Sequence, residues 1–108
     1  MYLPAPDEAL HVAVLRMVLR MPGNRSIKDR RRVVVSLRDR VHARHHAAFA
    51  DVGHLDRADA AVVAVTIVGN DARLLRARLD TVRAEVEHLH EALLTESSVE
   101  VLTLNGHR

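Results

Sequence analysis

Apolar and polar positions alternate between Leu10 and Met21: Leu15, Met17, Leu19 and Met21 share one side, Arg16, Val18 and Arg20 the other. A period of two is that of a pleated strand, so this stretch is predicted to be a strand with one face buried. Pro22-Gly23 ends the run. Ile27, Val34, Leu37 and Val41 then recur at intervals of seven, three and four, which places them in a single stripe on a helix from Ile27 to about Arg44. Ser26 is suited to cap that helix by accepting from a free first-turn N–H, and Asp29 three residues on completes a capping box, so the helix is predicted to open at Ile27.

His45 to Val52 reads as a short second strand, weakened by Ala47, Ala48 and Ala50, and Gly53 to Arg57 as a turn. Ala60 to Val68 is almost uniformly apolar and β-branched, the pattern of a central strand covered on both faces. Gly69-Asn70-Asp71 punctuates the chain and opens a second helix, whose seam of Leu75, Leu79, Val82, Val86, Leu89 and Leu93 would run for about five turns. Thr95 to Ser98 is expected to be a loop and Val99 to Leu104 a last strand. Residues 1–9, interrupted by Pro4 and Pro6, are expected to be a loose arm, residues 10–104 a single domain, and residues 105–108 a tail.

The element order predicts an α+β fold, a ferredoxin-like βαββαβ domain with an antiparallel four-stranded sheet and two helices on one face. Two right-handed crossovers set the first and third strands in the centre. These two are expected to run parallel, which would make neighbours of Asn24-Arg25-Ser26 and Gly69-Asn70-Asp71. Two helices cover only one face, yet the third strand is apolar in both parities, with Val62, Ala64, Thr66 and Val68 on the far side. A homodimer joined through sheet faces or paired edges would bury that surface.

Composition adds two constraints. The 108 residues contain no Cys and only two aromatics, Tyr2 and Phe49, which excludes a disulfide framework and a thiolate zinc site and makes the core aliphatic. Net charge is only +2, but residues 16–44 hold ten Lys and Arg against Asp29 and Asp39, a local +8 that leaves −6 for the rest. Charge segregated in this way suggests a basic surface for a polyanion. The acidic, Pro-interrupted start and the Arg16 break in the apolar run argue against a signal peptide or a membrane span, so a cytoplasmic protein with no membrane partner is expected.

The candidate site is the turn into the first helix: Asn24, Arg25, Ser26, Lys28, Arg30, Arg31 and Arg32, with Asn70 from the second turn. Cations at a helix N-terminus oppose the helix dipole, at a cost of about 0.3–1 kcal/mol per first-turn charge, so stability alone does not explain them. Free first-turn N–H groups with converging Arg and Lys suit phosphate. Neither aromatic lies on a central strand and no G-x-x-G occurs, which disfavours base stacking of the RRM kind and the KH mode. Phosphate-backbone contact remains. The alternative is a small-anion or phosphate-ester site, acylphosphatase-like, between Arg25 and Asn70; the Gly-rich phosphate loop of such enzymes is missing, and no catalytic residue is assigned. His42 and His46, four apart, and His88 and His90 lack the further ligands of a tetrahedral zinc site, so neither metal nor cofactor is expected.

The run Ala13-Val14-Leu15, the turn and helix start Pro22-Gly23-Asn24-Arg25-Ser26-Ile27-Lys28-Asp29-Arg30-Arg31-Arg32-Val33-Val34, Asp51-Val52-Gly53 and Val68-Gly69-Asn70-Asp71 together resemble the YlxP-like family of small bacterial proteins of unassigned function. The resemblance covers about residues 11–72. It departs at Ala58, where the family often has Trp, at His45, where Phe is usual, and at Asp51, where Glu is commoner. It implies a ferredoxin-like fold. It also implies a link to translation, because genes of that family often lie among those for initiation and ribosome maturation factors. A non-enzymatic protein binding structured RNA or the ribosome through the basic turn is therefore expected.

Overall fold

The computed structural model describes residues 9–104; the tail 105–108, and all of the arm except Ala9, lie outside them. The chain forms β1 (Leu10–Arg20), α1 (Ile27–His45), β2 (Ala48–Gly53), β3 (Ala60–Gly69), α2 (Ala72–Glu87) and β4 (Leu93–Leu104). The four strands make one sheet in the order β2-β3-β1-β4, with every neighbouring pair antiparallel. This is the ferredoxin-like α+β arrangement.

One face of the sheet carries the core. Ala13, Leu15, Met17 and Leu19 of β1 and Ala61, Val63, Val65 and Ile67 of β3 are buried there. They pack against Val34, Leu37 and Val41 of α1 and Leu75, Leu79, Val82 and Val86 of α2, so both helices lie on that face. The alternation expected in β1 is observed, with Arg16 and Arg20 exposed on the opposite side. Val62 lies on that opposite side too, yet it is buried. At Gly53 the β2–β3 register shifts, and a Cβ there would stand 3.0 Å from that of Val62.

Four boundaries move. α1 continues through His45 and is closed by His46 in the left-handed conformation, with φ 51° and its N–H donating to the His42 carbonyl. β2 therefore begins at Ala48, not at His45. The seam of α2 does not reach Leu93: the helix stops at Glu87, and β4 begins at Leu93 and takes in the expected loop Thr95–Ser98. Leu89 and Leu93 keep the helical spacing, but Leu93 pairs with Arg20 and Leu94 with Leu19 across the β1–β4 ladder.

The central pair is antiparallel, against the expectation of parallel strands. Arg20 pairs with Ala60 and His11 with Gly69, so the exits of β1 and β3 lie at opposite ends of the ladder. Nine residues of strand separate those two rows, about 30 Å at roughly 3.3 Å per residue.

Candidate nucleic-acid interface

α1 opens as its sequence dictates. The Asp29 N–H donates to Ser26 Oγ at 3.0 Å, and the Asp29 carboxylate in turn accepts from the Arg25 N–H at 2.9 Å. That backbone hydrogen bond from Arg25 is the main reason the Asp29 carboxyl titrates below its ordinary value of 3.8, with Ser26 and the nearby Arg32 charge acting in the same direction. The helix mouth thus already holds an anion of its own. An incoming phosphate would meet a carboxylate and a hydroxyl there, so the side chains, and not the free N–H groups, are the available cations.

Arg25, Lys28, Arg31 and Arg32 are all exposed, and none forms an ion pair with another described residue. Lys28 and Arg31 are three apart and Lys28 and Arg32 four apart, so they lie together on the outer face of the first two turns. The same face continues past Val35 and Ser36 to Arg40 and Arg44, which line one shallow hollow with Lys28, Arg31 and Arg32. Farther along the helix the positive charge is partly answered. Arg38 meets Asp39 at 3.0 Å, while Arg40–Glu91 and Arg44–Glu85 each stand at 3.7 Å. Unanswered positive charge is therefore concentrated at the N-terminal end. Arg40 and Arg44 were absent from the predicted site, although their presence on the helix flank can be read from their spacing to Lys28 and Arg32.

Arg30 leaves the predicted site. It is 4% exposed and lies on the buried stripe, four residues before Val34. Its guanidinium donates to both Asp51 carboxylate oxygens at 2.6 and 2.9 Å, to the Gly53 carbonyl at 3.0 Å and to the Ala60 carbonyl at 2.9 Å. The bidentate pair and two carbonyls occupy the planar donor fork, so it ties α1 to β2 and β3 instead of facing solvent. Ile27, assigned to the stripe from its spacing, is half exposed. The signal for Arg30 was present: positions 30, 34, 37 and 41 follow the helical repeat better than 27, 34, 37 and 41.

Asn70 also leaves the site, because the antiparallel β1–β3 register puts the turn into α2 at the far end of the sheet from Arg25. An anion pocket shared between these two turns does not exist in this fold. The α2 mouth is closed by Asp71, whose carboxylate accepts from the N–H groups of Arg73 and Leu74. The true neighbours of the β1–α1 turn are the β2–β3 loop, through the Met21 N–H to the Asp59 carbonyl at 2.8 Å, and the α2–β4 loop. His90 and Glu91 of that second loop line a hollow of about 410 Å³ with Asn24, Asp29 and Arg32. Asn24 Nδ2 is buried beside it with no partner among the described residues.

Among the described residues no group of three or more His, Asp or Glu is placed to hold a metal ion, and no helix is long and apolar enough to cross a membrane. Phe49 is half buried against the core, so no described aromatic is presented for base stacking.

A family model described as "Protein of unknown function (DUF503)" matches residues 12–99, which takes in every element from β1 to the first half of β4. No curated protein matches the chain. Among solved structures the chain is similar to "De novo designed protein Foldit4", at 15% identity and a TM-score of 0.48, over 90% of this chain and 99% of that one. A likeness at that level carries no argument about function.

Proposed function

We propose, for a chain that belongs to the DUF503 family of proteins of unknown function, that it is a non-enzymatic, cytoplasmic protein that binds the phosphate backbone of structured RNA, such as ribosomal RNA, through the outer face of α1. One observation carries this reading: Arg25, Lys28, Arg31 and Arg32 are exposed and free of ion pairs with described residues, at the helix end where the dipole makes cations unfavourable. A cost accepted there is offset when phosphates arrive. Asn24 and Ser26 serve the site by shaping the turn, Ser26 through its cap. The finer placement in the YlxP-like family rests on the stretch from Pro22 to Val34 and adds the link to translation.

The contact is electrostatic and reads shape more than sequence. With four cations each neutralising one phosphate, the logarithm of affinity should fall against the logarithm of salt with a slope of about −3 to −4. The test is a gel-shift or filter titration against ribosomal RNA at several salt concentrations. Arg31→Glu combined with Arg32→Glu should weaken binding at every salt concentration and flatten that slope by about half. Absence of affinity at about 50 mM salt, or an unchanged slope in the double variant, would overturn the proposal.

A further inference from the structure

The sheet face opposite the helices carries a surface that the RNA reading does not use. Neither described helix packs on it, although Val62 and Ala60 at its β2 side are buried. At one end Leu10, Val68, Leu102 and Leu104 are each between 42 and 61% exposed, and the ladder places them together: Leu10 opposite Leu104, and Val12 between Val68 and Leu102. Thr66 adds no free donor, because its hydroxyl donates to the Ala13 carbonyl at 2.8 Å. Toward the other end the same face changes character. Arg16 and Arg20 project from β1, and Glu96 and Glu100 from β4, where they stand opposite Val18 and Val14. All four are exposed, and none forms an ion pair within the described chain.

We infer that a second copy of this chain covers the β1–β4 half of this face, related by a two-fold axis that runs along the strands between β1 and β4 and leaves Val68 of β3 at the rim of the contact. Such an axis keeps each row of the ladder level and exchanges the two strands, so β1 of one copy lies over β4 of the other. The apolar end then meets the apolar end: Leu10 lies over Leu104 of the second copy and Val12 over Leu102. Arg16 lies over Ser98 of the second copy, flanked by that copy's Glu96 and Glu100. The surface is therefore complementary to itself in both hydrophobicity and charge, which an isologous interface requires and a foreign partner does not explain. Sheets packed in this way are nearly aligned and about 10 Å apart. Both α1 helices stay on the outside, so the dimer displays two basic faces.

Equilibrium sedimentation between micromolar and about 100 μM protein tests this. The expected mass is twice the 12.1 kDa of one chain. Arg16→Glu sets three carboxylates together across the interface and should weaken the dimer at least about tenfold. Adding Glu100→Arg to Arg16→Glu restores one of the two opposite-charge contacts while Glu96 remains, and should recover part of the lost affinity, and circular dichroism checks that each variant is folded. Leu102→Lys should give monomers. A wild-type chain that is monomeric throughout the range would overturn the inference. So would a dimer indifferent to both Arg16→Glu and Leu102→Lys, which would assign the contact to another surface such as the β4 edge.

Discussion

Removing the Asp51 carboxylate should destabilise the protein far more than an exposed ion pair would allow. Arg30 keeps its charge in such a variant, with a side chain only 5% exposed, and retains just the carbonyls of Ala60 and Gly53. Breaking a fully buried pair from one side costs about 3–5 kcal/mol. Asp51 is itself 26% exposed, so water can enter the vacated space, and Asp51→Ala is placed at the low end, about 3 kcal/mol. Asp51→Asn keeps one acceptor and should cost about 1–2 kcal/mol. Arg30→Met leaves Asp51 able to reach water but strips the two carbonyls of their donor, for about 1–3 kcal/mol. The double variant removes charge and counter-charge together, so its cost should fall short of the sum of the single costs by about 1–3 kcal/mol. Urea unfolding at pH 7 and one fixed protein concentration reads these differences as midpoint shifts, with about 1–3 M expected for Asp51→Ala at m values typical of small proteins. A shift below about 0.5 M, or strict additivity in the double variant, would refute the reasoning. Folded Arg30→Met should also keep wild-type affinity for RNA, in contrast to Arg31→Glu; an equal loss would return Arg30 to the interface.

Ser26→Ala removes the oxygen that accepts from Asp29 N–H and should cost about 1 kcal/mol in the same urea assay; no loss would mean that the cap is replaced by water at no cost. The Asp29 carboxyl is held below 3.8 in the folded chain, so its stabilisation is complete above 3.8 and is lost as pH falls through its lower folded-state value. Stability measured down that range should therefore fall less steeply in Asp29→Ala than in wild type, and equal slopes would remove Asp29 from the account. Gly53→Ala places a Cβ 3.0 Å from that of Val62 and should cost about 1–3 kcal/mol by overpacking; a neutral result would show that β2, an edge strand, simply moves away.

The amino-acid order by itself determined the periods. It marked β1 and β3 as strands, opened α1 at Ile27 through Ser26 and Asp29, and placed four cations on the first two turns of that helix, because alternation, helical repeat and capping depend on residues within a few positions of one another. Those signals carry no direction. A strand read as apolar on both faces is the same whether its neighbour runs parallel or antiparallel; the antiparallel βαββαβ arrangement itself implies opposite directions for the two central strands, against the parallel pair expected, and the register of Arg20 with Ala60 and His11 with Gly69 sends Asn70 to the far end of the sheet. Likewise, the spacing that carries Leu89 and Leu93 onward from α2 cannot tell a fifth helical turn from a strand, and pairing of Leu93 and Leu94 with β1 decided it. The helical repeat sets Arg30, unlike Arg31 and Arg32, on the stripe of Val34, Leu37 and Val41, but the repeat alone does not say that a charge there can be buried. Its burial was decided by Asp51, Gly53 and Ala60, which lie more than twenty positions away and reach it only because β2 and β3 fold beneath α1, where a charge can be buried once its partner and acceptors arrive with it.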